Sequence, residues 1–96
     1  MVVTMLEARV TENQAGLLVD GFGAGSDSLP PSILESFLLH DAGNDMWRIV
    51  TVWADREALD GYRDSVATPE GVRMFRTVGA EPALTVWEVA AHADHS

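Results

Sequence analysis

The stretch that decides the fold is MWRIVTVWADREALDGYRDSVATPEGVRMF, residues 46–75. It opens with MWRIVTVWA, a run of β-branched and aromatic residues that predicts a strand. Asp55 follows as a helix N-cap, and the next residues place apolar side chains at helical spacing, which predicts a helix over residues 56–66. Thr68-Pro69 restarts the helix as a cap followed by proline at the first helical position.

Upstream of this stretch, two more segments alternate in the manner of strands. Residues 33–40 precede the strand at 46–54, and the intervening DAGND of residues 41–45 has turn chemistry, so the two strands are expected to form a hairpin. Residues 2–10 form another strand. Its mostly apolar face holds Val2, Thr4, Leu6, Ala8 and Val10.

The register of the hairpin depends on its turn. A five-residue loop places His40 opposite Met46, whereas a two-residue turn at Gly43-Asn44 shifts the pairing by one residue and mixes the two faces. We favour the first register because it collects the aromatic and β-branched side chains on one side. It puts Trp47, Ile49, Thr51 and Trp53 on one face with Ile33, Glu35 and Phe37.

The remaining elements are a first helix and a last strand. Thr11 predicts the helix N-cap, with Gln14 as capping-box partner, and the glycines that follow predict an end near residues 22–24. The prolines within Gly23–Ser32 predict a loop there. After Phe75 the second helix continues to about residue 78 and stops at Gly79, and the last strand covers residues 83–90.

The element order is therefore β-α-β-β-α-β. It predicts an α+β, ferredoxin-like domain over residues 1–91, with an antiparallel four-stranded sheet and both helices on one face, followed by a flexible tail at residues 92–96. The other sheet face stays uncovered and apolar. An apolar sheet face of this kind predicts a homodimer that packs sheet against sheet around a two-fold axis.

Charge and composition exclude several functions. The 96 residues carry a net charge of −9, which disfavours nucleic acid and anionic membranes as partners. There is no Lys and no Cys, so Schiff-base, thiolate and Cys-based zinc chemistry are excluded. The Cys-free chain is compatible with the cytoplasm, and Arg without Lys is typical of a GC-rich bacterial gene. We expect no metal at His92, Asp94 and His95, since they lie in the tail.

The segments TVWADREALDGY, Thr68-Pro69 and AEPALTVWEV resemble the antibiotic-biosynthesis-monooxygenase family, whose members are dimeric α+β barrels. The resemblance implies a pocket for a small molecule between the sheet and the helices. The haem-degrading branch of that family uses an Asn on the first strand and a His on the second long helix. Here the first strand has Leu6 and Glu7, and residues 69–78 hold no His. We therefore expect no haem and no other cofactor.

What the resemblance implies about function is a cofactor-independent monooxygenase acting on an aromatic phenol, anthrone or hydroquinone. The enzyme deprotonates the substrate, and the substrate anion itself reduces O2. We expect His40 to act as the base and Tyr62 and Arg48 to hydrogen-bond the oxyanion. The walls of the pocket are expected to be Trp53, Phe37, Phe75 and Phe22.

Simpler interpretations of these residues remain open. Trp53 can be a core residue packed on Leu59, Tyr62 a residue at the rim, and His40 a solvated residue at a strand end. Pairing of Arg48 with a carboxylate is favoured in so acidic a chain. The corresponding alternative function is a non-catalytic dimer that binds a small molecule or another partner, and a further alternative is an isomerase or lyase.

Overall fold

The computed structural model describes residues 1–95. The elements are β1 (Val2–Arg9), α1 (Glu12–Gly25), a 3-10 turn (Ser26–Ser28), β2 (Ile33–His40), β3 (Met46–Trp53), α2 (Arg56–Ser65), α3 (Glu70–Thr77) and β4 (Ala83–Glu88). The four strands form one antiparallel sheet in the order β2-β3-β1-β4. This arrangement confirms the predicted ferredoxin-like α+β fold.

The helices cover one face of the sheet, and the core lies between them. Burial alternates strictly along β1 and β3, so the inward residues of each strand share this face, as predicted for β1. One core cluster centres on Phe75, Leu18 and Ile49. A smaller cluster of Val2, Trp53 and Leu59 fixes the start of α2 against the end of β3.

The opposite face of the sheet has no helix over it. It presents large apolar side chains to solvent, with Phe37 45% and Trp87 58% exposed. The charged side chains on this face are two acidic and two basic residues, namely Glu7, Glu35, Arg9 and Arg48. The open face therefore carries no net charge, although the chain as a whole has a charge of −9.

The favoured register of the hairpin is wrong. His40 pairs with Trp47, not with Met46, because the Asp41 N–H donates to the Met46 carbonyl and only residues 42–45 remain in the loop. A bulge between Ile33 and Glu35 returns Ile33 to the position opposite Trp53. Ile33 thus faces the helices as predicted. Glu35 and Phe37 point to the open face.

The first helix is longer than predicted. It runs to Gly25, and a 3-10 turn continues it to Ser28, where a loop was expected. The Ser26 hydroxyl and N–H both bond the Gly23 carbonyl and so satisfy the end of the helix. The predicted capping box is also wrong, because the side chain of Thr11 makes no capping hydrogen bond.

The second half of the chain follows the prediction more closely. Asp55 caps α2 by accepting the Ala58 N–H at 2.7 Å, and Gly79 ends α3 with a φ of 80°. The break between α2 and α3 is complete, however. Pro69 occupies the N-cap position of α3, so Thr68 is not its cap.

The last strand is shorter than predicted and ends at Glu88. Residues 91–95 are exposed and have no regular secondary structure. The predicted flexible tail extends to residue 96, which lies outside the described residues. Within residues 1–95, no helix has the length and hydrophobicity that crossing a membrane requires.

Candidate functional site

A cavity of about 70 Å³ lies between the sheet and the α2–α3 junction. Aliphatic side chains from β1, β3, β4 and both helices form most of its wall. The residues that give it chemical character are Thr4, Thr51, Trp53, Tyr62, Arg63 and Gly71. This is the position at which the resemblance implies a pocket for a small molecule.

The floor of the cavity has a row of hydroxyl groups in an apolar surround. Thr4 and Thr51 are direct neighbours on β1 and β3, and both are buried. The Trp53 indole N–H donates to Thr4 Oγ1 at 3.0 Å, and Thr51 Oγ1 bonds Ser36 Oγ at 3.0 Å. Since Thr4 Oγ1 only accepts in this contact, its own proton is free to donate to a ligand oxygen.

Tyr62 joins the two helices at the side of the cavity. Its ring packs against Trp53 with centroids 5.2 Å apart, and its oxygen accepts the Glu70 N–H at 3.0 Å. This bond satisfies the first amide of α3, for which Pro69 supplies no side-chain cap. The phenolic proton of Tyr62 stays available as a donor.

Gly71 lets the start of α3 approach the sheet. A Cβ at this position would lie 2.7 Å from Cδ1 of Leu6 and 3.6 Å from Cδ1 of Ile49. Beyond this contact lies a second cavity of about 90 Å³ between α1 and β2. Gly71 and Ile49 line both cavities, so the two cavities lie side by side beneath α3.

His40 lies at the far end of the sheet from this site. Its ring stacks on Trp47 with centroids 4.1 Å apart. Its Nε2 lies 2.9 Å from the Asn44 carbonyl oxygen. Since a carbonyl oxygen only accepts, we assign the Nε2–H tautomer, in which Nε2 donates. Trp47 and Trp53 are six residues apart on β3, which corresponds to about 20 Å. The imidazole is therefore out of reach of the cavity.

Arg48 and Phe37 both lie on the open face of the sheet. Arg48 Nε donates to the carboxylate of Glu7, which is the pairing that the acidic composition favoured. Phe37 is half exposed and lines neither cavity. In the observed register it pairs with Val50 and therefore points to the open face. The structure thus does not bring His40 and Arg48 together with Tyr62.

The other predicted wall residues, Trp53, Phe22 and Phe75, lie between the sheet and the helices. Trp53 lines the first cavity and Phe22 the second, whereas Phe75 is fully buried in the core beneath α3. Phe75 therefore supports the site from behind and does not border it.

Sequence reasoning missed four residues of the site, namely Thr4, Thr51, Arg63 and Gly71. Thr4 was counted among the apolar residues of its strand, although an inward-facing threonine among aliphatic residues is a signal for a polar floor. Gly71 and Arg63 have no such signal, since only the packing of α3 on the sheet makes them part of the cavity wall.

The resolved pKa shifts belong to exposed groups away from the cavity. The Gly43 N–H and the Asn44 amide hold the pKa of Asp41 below its ordinary value. The Arg76 guanidinium lowers the pKa of Glu81 through two hydrogen bonds. Within residues 1–95 there is no group of three His, Cys, Asp or Glu side chains that could hold a metal ion.

Solved structures with the same fold are numerous. No protein-family model matches the sequence, and no curated protein is significantly similar to it. A putative antibiotic biosynthesis monooxygenase from Deinococcus radiodurans is 15% identical, with a TM-score of 0.70 and coverage of 100% of this chain and 99% of that one. The predicted resemblance is thereby confirmed at the level of the fold.

Two other similar structures have more specific names. SnoaB from Streptomyces nogalater, a cofactor-independent oxygenase, is 16% identical with a TM-score of 0.68, and 98% of each chain is covered. The haem degrader MhuD from Mycobacterium tuberculosis is 20% identical with a TM-score of 0.74, covering 98% of this chain and 100% of that one. At these identities the similarity establishes the fold and not the reaction.

The site of this chain does not fit a haem. Its two cavities of about 70 and 90 Å³ are far below the range of about 300–1,000 Å³ that is usual for larger ligands. None of the described residues that line them is a histidine. No step of the chemistry below involves haem.

Proposed function

We propose that this chain is a cofactor-independent monooxygenase whose substrate, a small aromatic phenol or hydroquinone, binds in the cavity beneath α3. The observation that carries the proposal is the pair of hydroxyl groups, Thr4 and Tyr62, at a mainly apolar cavity walled by Trp53. Hydrogen-bond donors in a dry apolar site stabilise developing negative charge on oxygen. The similar folds named as monooxygenases support the same class of reaction.

The size of the cavities favours a single aromatic ring. Together, the volumes of about 70 and 90 Å³ are close to the engineered cavity of about 150 Å³ that binds benzene. A ring that uses both volumes requires the Ile49 side chain, which lines both cavities, to move aside. An anthrone has three fused rings and exceeds this space, so phenols and hydroquinones are the better candidates within the expected class.

The reaction needs only the substrate and O2. A phenolate with a free ring carbon ortho or para to its oxygen passes an electron pair to O2, a C–O bond forms at that carbon, and the resulting hydroperoxide loses water as its O–O bond breaks. One phenol and one O2 thereby give one quinone and one water, so no external reductant is consumed. Thr4 and Tyr62 would donate to the phenolate oxygen and hold the ring in place.

The first proton leaves the phenol without help from an imidazole or a carboxylate. No described residue that lines the first cavity is His, Asp or Glu, and the carboxylate of Glu70, which lines the second cavity, is paired with Arg73. The proposal therefore assigns the first deprotonation to solvent, with the two hydroxyl donors lowering the pKa of the bound phenol. It differs from the sequence-based assignment of His40 as the base.

Oxygen uptake tests this function. Metal-free protein without added cofactor is mixed with a panel of single-ring phenols and hydroquinones, and each rate is corrected for autoxidation. Uptake that exceeds the background and falls about tenfold or more in Tyr62→Phe supports the proposal. Uptake that is unchanged in Tyr62→Phe would place the reaction elsewhere.

The cavity also suits a second function, a non-catalytic module that binds a small aromatic molecule. The observation that favours it is the lack of a base among the described residues that line the cavity. Saturable binding of phenols without O2 consumption by any of them would favour this function over the oxygenase.

We further infer that the chain works as a cytoplasmic homodimer formed through the open sheet face. Phe37, Leu39 and Trp87 are about half exposed there, and burying them against a second copy would remove apolar surface from water. The balanced charges of this face support the assignment, because two chains of −9 can meet there without local repulsion.

A further inference from the structure

We infer that Arg63 selects ligands with an anionic group, so that the ligand of the cavity is a small aromatic acid. The inference rests on the proposed site beneath α3 and specifies the substrate class that it takes. It starts from the distribution of positive charge over the molecule.

Five of the six arginines pair with a carboxylate. These ion pairs are Arg9–Asp45, Arg48–Glu7, Arg56–Asp60, Arg73–Glu70 and Arg76–Glu81. Arg63 has no ion pair within residues 1–95. The chain has 15 acidic side chains for six arginines, so a guanidinium without a carboxylate is unexpected.

Arg63 lies where its guanidinium can bind an anionic group of a ligand. Arg63 follows Tyr62 in the last turn of α2, lines the cavity and is exposed to solvent, so it lies at the solvent-accessible edge of the cavity. A ligand ring inside the cavity would leave a substituent at this edge. A carboxylate there would meet a guanidinium that can donate two parallel hydrogen bonds.

The net charge of the protein makes such a residue necessary. A chain of −9 repels anions at long range, so an anionic ligand binds only where a local positive charge outweighs that field. Among the described residues that line the first cavity, Arg63 is the one charged side chain, and Glu70 in the lining of the second cavity pairs with Arg73. An arginine in the last turn of α2 also interacts favourably with the helix dipole, but that role would not discriminate between ligands.

A matched pair of probes distinguishes selection of an anionic ligand by Arg63 from a purely structural interaction with the helix dipole. 4-Hydroxybenzoate and 4-hydroxybenzamide have nearly the same shape, and the first carries a carboxylate where the second carries a neutral amide. Their dissociation constants are measured by calorimetry for the unsubstituted protein, Arg63→Gln and Arg56→Gln. Arg56 is the control because it lies on the same helix, is also exposed and does not line the cavity.

The inference predicts that the unsubstituted protein binds the benzoate about tenfold more tightly than the amide or better. Arg63→Gln abolishes this preference by weakening benzoate binding more than amide binding, whereas Arg56→Gln preserves it. Equal binding of both probes, a preference that survives in Arg63→Gln, or binding of neither probe would overturn the inference. Oxygen uptake is a separate measurement: a benzoate preference without uptake would refute the oxygenase alone, and uptake with neutral phenols alone would refute the role of Arg63 alone.

Discussion

The phenolic oxygen of Tyr62 accepts the backbone N–H of Glu70 at 3.0 Å, so a side chain of α2 caps the first turn of α3. The same ring lies against Trp53 and borders the cavity. One residue therefore fixes the junction of two helices and places a hydroxyl proton beside the candidate ligand.

Replacing Tyr62 tests both of these roles. Tyr62→Phe keeps the ring but leaves the Glu70 N–H without its acceptor, which is expected to lower the free energy of unfolding by about 1 kcal/mol. Urea unfolding measures that cost. Ser65→Ala is a control for ligand binding and not for stability, because it removes the hydroxyl that donates to the Tyr62 carbonyl and Ser65 does not line the cavity. An unchanged unfolding free energy in Tyr62→Phe would contradict the capping role.

Gly71→Ala is expected to close the cavity. The new methyl group would lie 2.7 Å from Leu6 Cδ1, so the leucine must turn into the space that it borders. The helical preference for alanine offsets part of this strain, so the unfolding free energy should change by less than about 1 kcal/mol. Binding of 4-hydroxybenzoate, measured by calorimetry, is expected to fall about tenfold or more.

Gly61→Ala provides the matched control for this substitution. A Cβ at Gly61 meets no atom within 4 Å, so alanine there is expected to raise the unfolding free energy by about 0.5–1 kcal/mol and to leave binding unchanged. If Gly71→Ala and Gly61→Ala bind the ligand equally well, the site is not beneath α3.

His40→Ala is expected to leave oxygen uptake unchanged. The imidazole stacks on Trp47 and bonds the turn at Asn44, about 20 Å along the sheet from Trp53. The rate of His40→Ala should therefore equal that of the unsubstituted protein. A rate that falls about tenfold or more in His40→Ala would restore the imidazole as the base.

Val50→Glu is expected to abolish the dimer. Val50 lies in the middle of the open face between Met5 and Phe37, where a carboxylate from each copy would be buried. Analytical ultracentrifugation should give twice the chain mass of 10.4 kDa for the unsubstituted protein and a monomer for Val50→Glu. Leu17→Glu, an exposed position on α1, should remain dimeric. A monomeric unsubstituted protein at micromolar concentration would refute the interface.

Stability is expected to fall in acid partly through Glu81. The two hydrogen bonds from Arg76 lower the pKa of Glu81 in the folded chain, so the unfolded chain binds more protons over the carboxyl range. The contribution of this pair is thus present above the unfolded pKa and lost as the pH falls through the folded one. Glu81→Gln should lower the urea midpoint slightly at neutral pH. It should have no effect at a pH low enough to protonate Glu81 in both the folded and the unfolded chain. A midpoint that shifts equally at both pH values would contradict this assignment.

Local sequence signals predicted the fold because each one has a local physical cause. Asp55 caps α2 and Gly79 ends α3 through interactions within a few residues, and the alternation of β1 reflects the pleat itself. The predicted register of the β2–β3 hairpin was wrong because the register depends on one backbone hydrogen bond, from the Asp41 N–H to the Met46 carbonyl, that composition does not reveal. That single residue of shift moved Phe37 from the predicted pocket to the open face.

The site was harder to predict than the fold because its parts meet only in three dimensions. Trp53 and Tyr62 follow from the strand and helix that carry them. Gly71 and Arg63 belong to the site only because α3 approaches Leu6 so closely, which depends on packing between distant segments.

The central claim is that a small aromatic ligand binds beneath α3, and the three tryptophans test it directly. The indole of Trp53 borders the cavity, that of Trp47 lies beside His40, and that of Trp87 is on the open face. Indole N–H resonances of ¹⁵N-labelled protein are recorded during titration with 4-hydroxybenzoate. The account predicts a saturable shift of the Trp53 signal, with Trp47 and Trp87 little changed. A saturable shift at Trp47 or Trp87 with an unmoved Trp53 signal would contradict it.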